Sequence, residues 1–167
     1  RDYSRIDVKP IAGALGAEIE GVDIASGVDD ETFGEIHRAW LENHVVYFRD
    51  QNLTPAQHID FAKRLGDIHP HLLNKGLEGY PEIVEVKKVP DQKLNNGGRW
   101  HSDQMYTPKP AKGTMLYSRE LPPTGGDTMF SNLYLAYDAL SDGLKKTLAG
   151  LKGVHNGDSR NHPSGLT

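Results

Sequence analysis

Hydrophobic and polar positions along the first quarter of the chain change from a strand-like to a helical pattern. Residues 6–24 read as short strands interrupted by glycine. Apolar residues then recur at helical spacing, which predicts a helix over 31–43 with Asp29 or Asp30 as its N-cap. The predicted apolar face of this helix contains Phe33, Ile36, Trp40 and Leu41.

A buried strand and a second helix are predicted next. The run VVYF at 45–48 is β-branched and aromatic, which is typical of a buried strand. Thr54 followed by Pro55 combines a cap residue with proline in the first turn, and Gly66 is suited to the helix end. The predicted apolar face contains Ile59, Ala62 and Leu65.

Strands are predicted to dominate the middle of the chain. The segments PEIVEVKKV at 81–89, KGTMLYSREL at 112–121 and DTMFSN at 127–132 are predicted to be strands, and PPTGG at 122–126 a turn. Candidate caps of two short helices follow, at Ser131 or Asn132 and then at Ser141. Strands flanked by helices favour an α+β domain around a sheet sandwich, such as a jelly roll with helical additions.

Composition and charge exclude several classes of protein. Net charge is −4 and there is no basic block that would indicate a nucleic-acid or membrane partner. The chain has no cysteine, which excludes disulfides, thiolate metal sites and thiol nucleophiles. Its apolar runs are too short to cross a bilayer, and no signal peptide is visible. A cytoplasmic location is the default expectation.

Two His-x-Asp pairs are the candidate metal ligands. His58 and Asp60 fall inside the second predicted helix, where side chains two residues apart diverge, so a solvated surface is the better interpretation. His101 and Asp103 follow the flexible NNGGR segment, where an extended backbone would point both side chains the same way. With one further histidine they would form the facial triad typical of non-haem Fe(II). From the spacing alone, an accidental His-x-Asp pair remains the alternative to a metal site.

Other histidines and the GGDT segment are further candidates for binding residues. His69 and His71 flank Pro70 in DIHPHLL, which suits either a polar loop or a ligand or anion-binding pair. GGDT at 125–128 is compatible with a simple hairpin turn. Surface positions are the expectation for two late histidines, His155 and His162.

Several motifs together resemble the taurine dioxygenase family, which includes the 2,4-dichlorophenoxyacetate dioxygenases. WHSD at 100–103 is followed by ELPPTGGDTMFSN at 120–132, and this combination is specific. The order and spacing also agree at GAEIEGVDI, VVYFRDQNLTP, RLGDIHPH and AYDALSDGLKKTLAGLKGVH. The resemblance covers nearly the whole chain.

The resemblance implies a double-stranded β-helix, or jelly roll, that holds Fe(II) and uses 2-oxoglutarate as co-substrate. His101 and Asp103 match the first two iron ligands of the family. Thr128 matches the residue that hydrogen-bonds the distal carboxylate of 2-oxoglutarate. The implied activity is hydroxylation of a small organic anion by O2, with release of succinate and CO2.

The resemblance also implies a substrate pocket. His69 matches a contact to the substrate anion, Gln104 a position that offers its backbone N–H, and Tyr106 an aromatic wall. Two positions depart from the taurine enzymes, because Leu72 replaces a tyrosine and Gly97 replaces an asparagine. These changes predict a roomier, more apolar pocket for an aryloxyalkanoate, an alkyl sulfonate or a sulfate ester.

The third metal ligand is expected outside the sequence. Residues 1–167 are predicted to form the N-terminal portion of one dioxygenase domain, with 156–167 as a mobile lid segment. A further histidine and the carboxylate-binding arginines are expected beyond Thr167. The alternative is a jelly-roll module that binds an ion or small anion without turnover, and a homo-oligomer is left open.

Overall fold

The computed structural model describes residues 2–69, 75–89, 91 and 100–156. Three short strands and four helices lie along these residues. The elements are β1 (Asp7–Pro10), β2 (Ala17–Glu20), α1 (Asp30–Asn43), β3 (Val46–Tyr47), α2 (Pro55–Leu65), α3 (Leu133–Asp138) and α4 (Asp142–Leu148). A small sheet accompanied by helices agrees with the predicted α+β class at its coarsest level.

The sheet has the strand order β1–β2–β3. β1 and β2 pair antiparallel, and β3 joins β2 in parallel with Val46 opposite Ala17. Ala17 and Ile19 are buried, whereas Glu18 between them is less buried, so one face of β2 packs on the core. The prediction of strands within 6–24 is confirmed, whereas the buried strand predicted at 45–48 is limited to Val46–Tyr47 and is only partly buried.

Both long helices begin where the cap residues predict. The Asp29 carboxylate accepts a 2.7 Å hydrogen bond from the Thr32 backbone N–H at the start of α1. Thr54 and Gln57 form a reciprocal capping box at the start of α2, and Gly66 ends that helix. Each cap satisfies backbone groups that the first helical turn leaves without a partner.

The hydrophobic core lies between the sheet and the two long helices. Phe61 is central, because its ring makes edge contacts with Phe33 at 5.7 Å and Phe48 at 6.3 Å between centroids. The prediction that Leu41 faces the core is wrong, since its side chain is 58% exposed. Leu41 lies about 200° around the helix from buried Ala39, at 100° per residue. The buried cluster contains Ile6, Ile19, Ile24, Ile36, Ala39, Leu53 and Phe61.

Three predicted strands are not formed. Residues 81–89, 112–121 and 127–132 have no strand assignment, and the named strands of the described residues are β1 to β3 alone. Composition can favour a strand, but a strand also needs a neighbour that completes its hydrogen-bond ladder. The described part of the chain supplies no such neighbour for these runs.

Apolar side chains late in the chain remain exposed. Leu121, Met129 and Tyr134 are 70%, 74% and 75% exposed, and Val154 is 95% exposed. The buried cluster, in contrast, comes entirely from residues up to Phe61. Among the described helices, none combines the length and apolar character that a membrane span requires.

Candidate metal centre

The side chains of His101 and Asp103 lie together. His101 Nε2 is 3.1 Å from Asp103 Oδ1, and both side chains are about half exposed. A turn begins at Asp103 and is closed by a 3.0 Å hydrogen bond from Thr107 N–H to the Gln104 carbonyl. Gln104 has a left-handed φ of 52°, which non-glycine residues seldom adopt. The predicted meeting of the two side chains is therefore observed at the entry to a turn.

The separation of these two atoms suits a shared metal ion. Two ligand atoms at roughly 2.1 Å from an ion and about 90° apart are about 3.0 Å from each other. The observed 3.1 Å matches this spacing, and it also permits a hydrogen bond in the absence of an ion. An imidazole and a carboxylate are two of the three ligands in the 2-His-1-carboxylate type of Fe(II) site. The pair therefore fits part of such a site, and its role as ligands stays a prediction.

Thr114 holds the second oxygen of the same carboxylate. Its Oγ1 donates a 2.8 Å hydrogen bond to Asp103 Oδ2. This contact is not predicted from the sequence, although Thr114 lies in the segment 112–121 that is predicted to be a strand. The sequence TMLY at 114–117 carries no polar–apolar alternation that would mark Thr114; the alternation appears only in the structure, where Met115 and Tyr117 pack against the core while Thr114 and Leu116 are exposed.

The segment that carries Thr114 is anchored on both sides. The Tyr117 hydroxyl accepts from the Leu53 backbone N–H and donates to the Gln51 carbonyl, both at 3.1 Å. The backbone at Gly113 lies against Trp40 of α1, where an added Cβ would be 2.8 Å from the ring. These contacts fix the position of the segment relative to α1 and to the residues before α2.

The environment of His58 differs from the solvated surface that is predicted for it. It lies in α2, as expected, but it is partly buried and not simply a solvated surface residue. Its ring meets Tyr117 edge-on at 6.0 Å. Burial lowers the pKa of His58, and a hydrogen bond with the Met115 backbone opposes that change. The neighbouring Asp60 is exposed, so the helical spacing separates this pair of side chains as predicted.

The remaining predicted site residues within the described ranges are distributed between surface and partly buried positions. His69 and Thr128 are exposed, whereas Gln104 and Tyr106 are partly buried. Their substrate and co-substrate roles stay predictions. The backbone before Thr128 bends through two glycines with left-handed φ, Gly125 and Gly126, at 77° and 79°. Glycine adopts this conformation without a steric penalty.

A third metal ligand is not found in the part of the chain that the structure describes. No group of three or more His, Cys, Asp or Glu side chains there could hold a metal ion. His155 is described and exposed, and it joins no such group. Predictions for His71, Leu72, Gly97, His162 and the lid beyond Asn156 lie outside the described residues.

Comparison with known proteins identifies the family. Residues 7–166 match the family described as "Taurine catabolism dioxygenase TauD, TfdA family". The match covers nearly the whole chain, and the chain belongs to this family.

Individual relatives support the same assignment. The chain is 32% identical over 153 residues to the (S)-phenoxypropionate/alpha-ketoglutarate-dioxygenase of Sphingobium herbicidovorans, covering 90% of this chain and 53% of that protein. It is 31% identical to the alpha-ketoglutarate-dependent sulfate ester dioxygenase of Pseudomonas putida, covering 92% and 50%. A crystal structure of a taurine dioxygenase from Burkholderia xenovorans superposes with a TM-score of 0.76 at 34% identity, covering 92% and 54%. The chain thus spans about half the length of the relatives it matches.

Proposed function

We propose that the whole protein is an Fe(II)- and 2-oxoglutarate-dependent dioxygenase that hydroxylates a small organic anion and releases succinate and CO2. The observation that carries this proposal is the 3.1 Å approach of His101 Nε2 to Asp103 Oδ1 in a member of this family. When bound, Fe(II) and 2-oxoglutarate supply the oxidising chemistry, and the protein supplies geometry and exclusion of water.

Each predicted site residue of this chain has a proposed binding role. His101 and Asp103 hold the metal ion, and the Thr128 hydroxyl donates to the distal carboxylate of 2-oxoglutarate. His69 contacts the anionic end of the substrate. Tyr106 forms an apolar wall of the pocket, and Gln104 offers its backbone N–H to the substrate.

The rest of the fold is proposed to come from a second half of the protein. A jelly roll needs strands that pair with the segments 81–89, 112–121 and 127–132. Exposed apolar side chains such as Leu121 and Met129 support this, because strands of a jelly roll bury such side chains against the rest of the sheet. We place the third metal ligand and the carboxylate-binding arginines in that half, and the protein in the cytoplasm.

The substrate is proposed to be larger and more apolar than taurine. Leu72 and Gly97 stand where the taurine enzymes have tyrosine and asparagine, so the polar contacts available to a small amine are reduced. The named relatives act on a phenoxypropionate and on sulfate esters. A sulfonate, a sulfate ester or an aryloxyalkanoate is the expected class, with its charge near His69.

A substrate panel tests this function directly. The full-length protein is incubated with Fe(II), 2-oxoglutarate and O2, and succinate is measured with taurine, alkyl sulfonates, alkyl sulfates and aryloxyalkanoates. The expected result is substrate-dependent succinate, with taurine poorer than the best apolar anion. Metal binding without succinate formation for any anion would instead support a binding module without turnover. Taurine exceeding every apolar anion would overturn the substrate class alone.

A further inference from the structure

The Asp103 carboxylate has its two oxygens engaged by different partners. Oδ1 faces His101 Nε2 at 3.1 Å, and Oδ2 accepts a 2.8 Å hydrogen bond from the Thr114 hydroxyl. Hydrogen bonds to a charged acceptor are shorter and stronger than those between neutral groups. The carboxylate is therefore held in one rotation, with a single oxygen directed toward the imidazole.

We propose that Thr114 is a positioning residue that holds the Asp103 carboxylate with Oδ1 directed toward the metal ion. Carboxylates bind cations through one oxygen or two. A carboxylate that bound through both would occupy a position that the facial-triad site otherwise leaves open to co-substrate and O2. With Oδ2 bonded to Thr114, Oδ1 is the oxygen that faces the imidazole, and binding through this oxygen alone leaves the open positions free. This inference rests on the proposed function.

Thr114 can orient the Asp103 carboxylate because the residues that follow Thr114 are packed against the core. The following residue, Met115, packs against the core and hydrogen-bonds His58 through its backbone. Tyr117 packs against the same core and bonds the chain before α2. Side chains alternate along this segment, so burial of Met115 and Tyr117 turns Thr114 outward, toward Asp103.

Partners of this kind, which bond a metal-ligating carboxylate, tune the site without touching the ion. Removing one typically lowers metal affinity or activity by about 10- to 100-fold. The hydroxyl is the group that acts, so serine should replace threonine while valine should not. Valine keeps the branched shape of threonine and deletes only the donor.

Metal binding measured by calorimetry tests the inference without relying on turnover. Mn(II) is titrated into the full-length wild-type protein and into Thr114→Val, Thr114→Ser and Thr147→Val. Thr147 is the matched control, because its hydroxyl donates to the Gly143 carbonyl within α4. Thr114→Val should weaken Mn(II) binding by about tenfold or more. Thr114→Ser and Thr147→Val should bind as the wild type does, and all four proteins should have the same metal-free melting temperature.

Each other outcome has a separate meaning. Wild-type affinity in Thr114→Val would overturn the inference and leave the proposed function standing. Equal losses in the valine and serine variants would also overturn it, because the side chain would then act through packing and not through its hydroxyl. A wild-type protein that binds no Mn(II) would overturn the metal centre itself, and the inference with it.

Discussion

The Tyr117 hydroxyl bridges to the backbone of Leu53 across 64 residues of chain. It accepts a 3.1 Å hydrogen bond from the Leu53 N–H, and Leu53 is only 5% exposed. The same hydroxyl donates to the Gln51 carbonyl. The segment that presents Thr114 to Asp103 is thereby attached to the chain that leads into α2.

Replacing Tyr117 by phenylalanine should destabilise the protein. The change leaves the buried Leu53 N–H without its partner, which typically costs about 1–3 kcal/mol. Chemical unfolding of the full-length protein measures the effect. The control is Tyr134→Phe, on a tyrosine that is 75% exposed, and it should change the free energy of unfolding by less than about 0.5 kcal/mol. An equal effect of the two substitutions would contradict the bridging role of Tyr117.

Two glycine-to-alanine substitutions should have effects of opposite sign. An added Cβ at Gly113 would lie 2.8 Å from the Trp40 ring, and overpacking of this kind costs about 1–3 kcal/mol. At Gly143 in the first turn of α4 the nearest atom is Ser141 Oγ at 3.9 Å, so alanine should stabilise the protein by about 0.4–1 kcal/mol. Thermal unfolding measures both. A stabilised Gly113→Ala protein would show that the segment does not pack on α1 as described.

His58 should make stability depend on pH. Burial lowers its pKa below the usual 6.5, so the folded protein favours the neutral ring. Above about pH 6.5 the ring is neutral in both the folded and the unfolded chain, so protonation of His58 does not reduce the free energy of unfolding. As the pH falls below 6.5, the unfolded chain takes up the proton first, and the free energy of unfolding decreases down to and through the folded-state pKa. Removing the titrating group should therefore flatten this part of the pH profile.

Urea unfolding between about pH 7.5 and about pH 5 measures that profile. His58→Gln should lose less stability over this range than the wild type loses. The matched variant is His155→Gln, on an exposed histidine, and it should follow the wild-type profile. Parallel profiles for wild type and His58→Gln would argue against a buried neutral imidazole.

Thr128 should matter for the co-substrate. A charge-assisted hydrogen bond from its hydroxyl to a carboxylate is worth about 1.5–3 kcal/mol. Thr128→Val should therefore raise the 2-oxoglutarate concentration needed for half-maximal succinate release by about tenfold or more. Thr124→Val, in the same exposed turn, is the control and should leave that requirement unchanged. If Thr128→Val needs the same 2-oxoglutarate concentration as the wild type, then GGDT forms only a turn and does not bind the co-substrate.

Local signals in the sequence predicted the helices well, whereas long-range pairing was not predictable. Asp29 and Thr54 mark helix starts because a cap acts within three residues of its own position. The predicted strand at 112–121 failed because its ladder would need a neighbour far away in sequence. The spacing of His101 and Asp103 is local and was recognised. The bond from Thr114 to Asp103 joins residues 11 apart and depends on the tertiary path of the chain.

His101 and Asp103 are proposed to supply two of the three metal ligands of an oxygenase. The test is succinate release from 2-oxoglutarate, measured with the best anionic substrate. The full-length wild-type protein is compared with His101→Ala, Asp103→Ala and Asp60→Ala. Asp60 is the control because it is the exposed carboxylate of the other His-x-Asp pair. The first two variants should lose substrate-dependent succinate, and Asp60→Ala should retain it. Wild-type succinate release by Asp103→Ala would show that Asp103 is not a metal ligand.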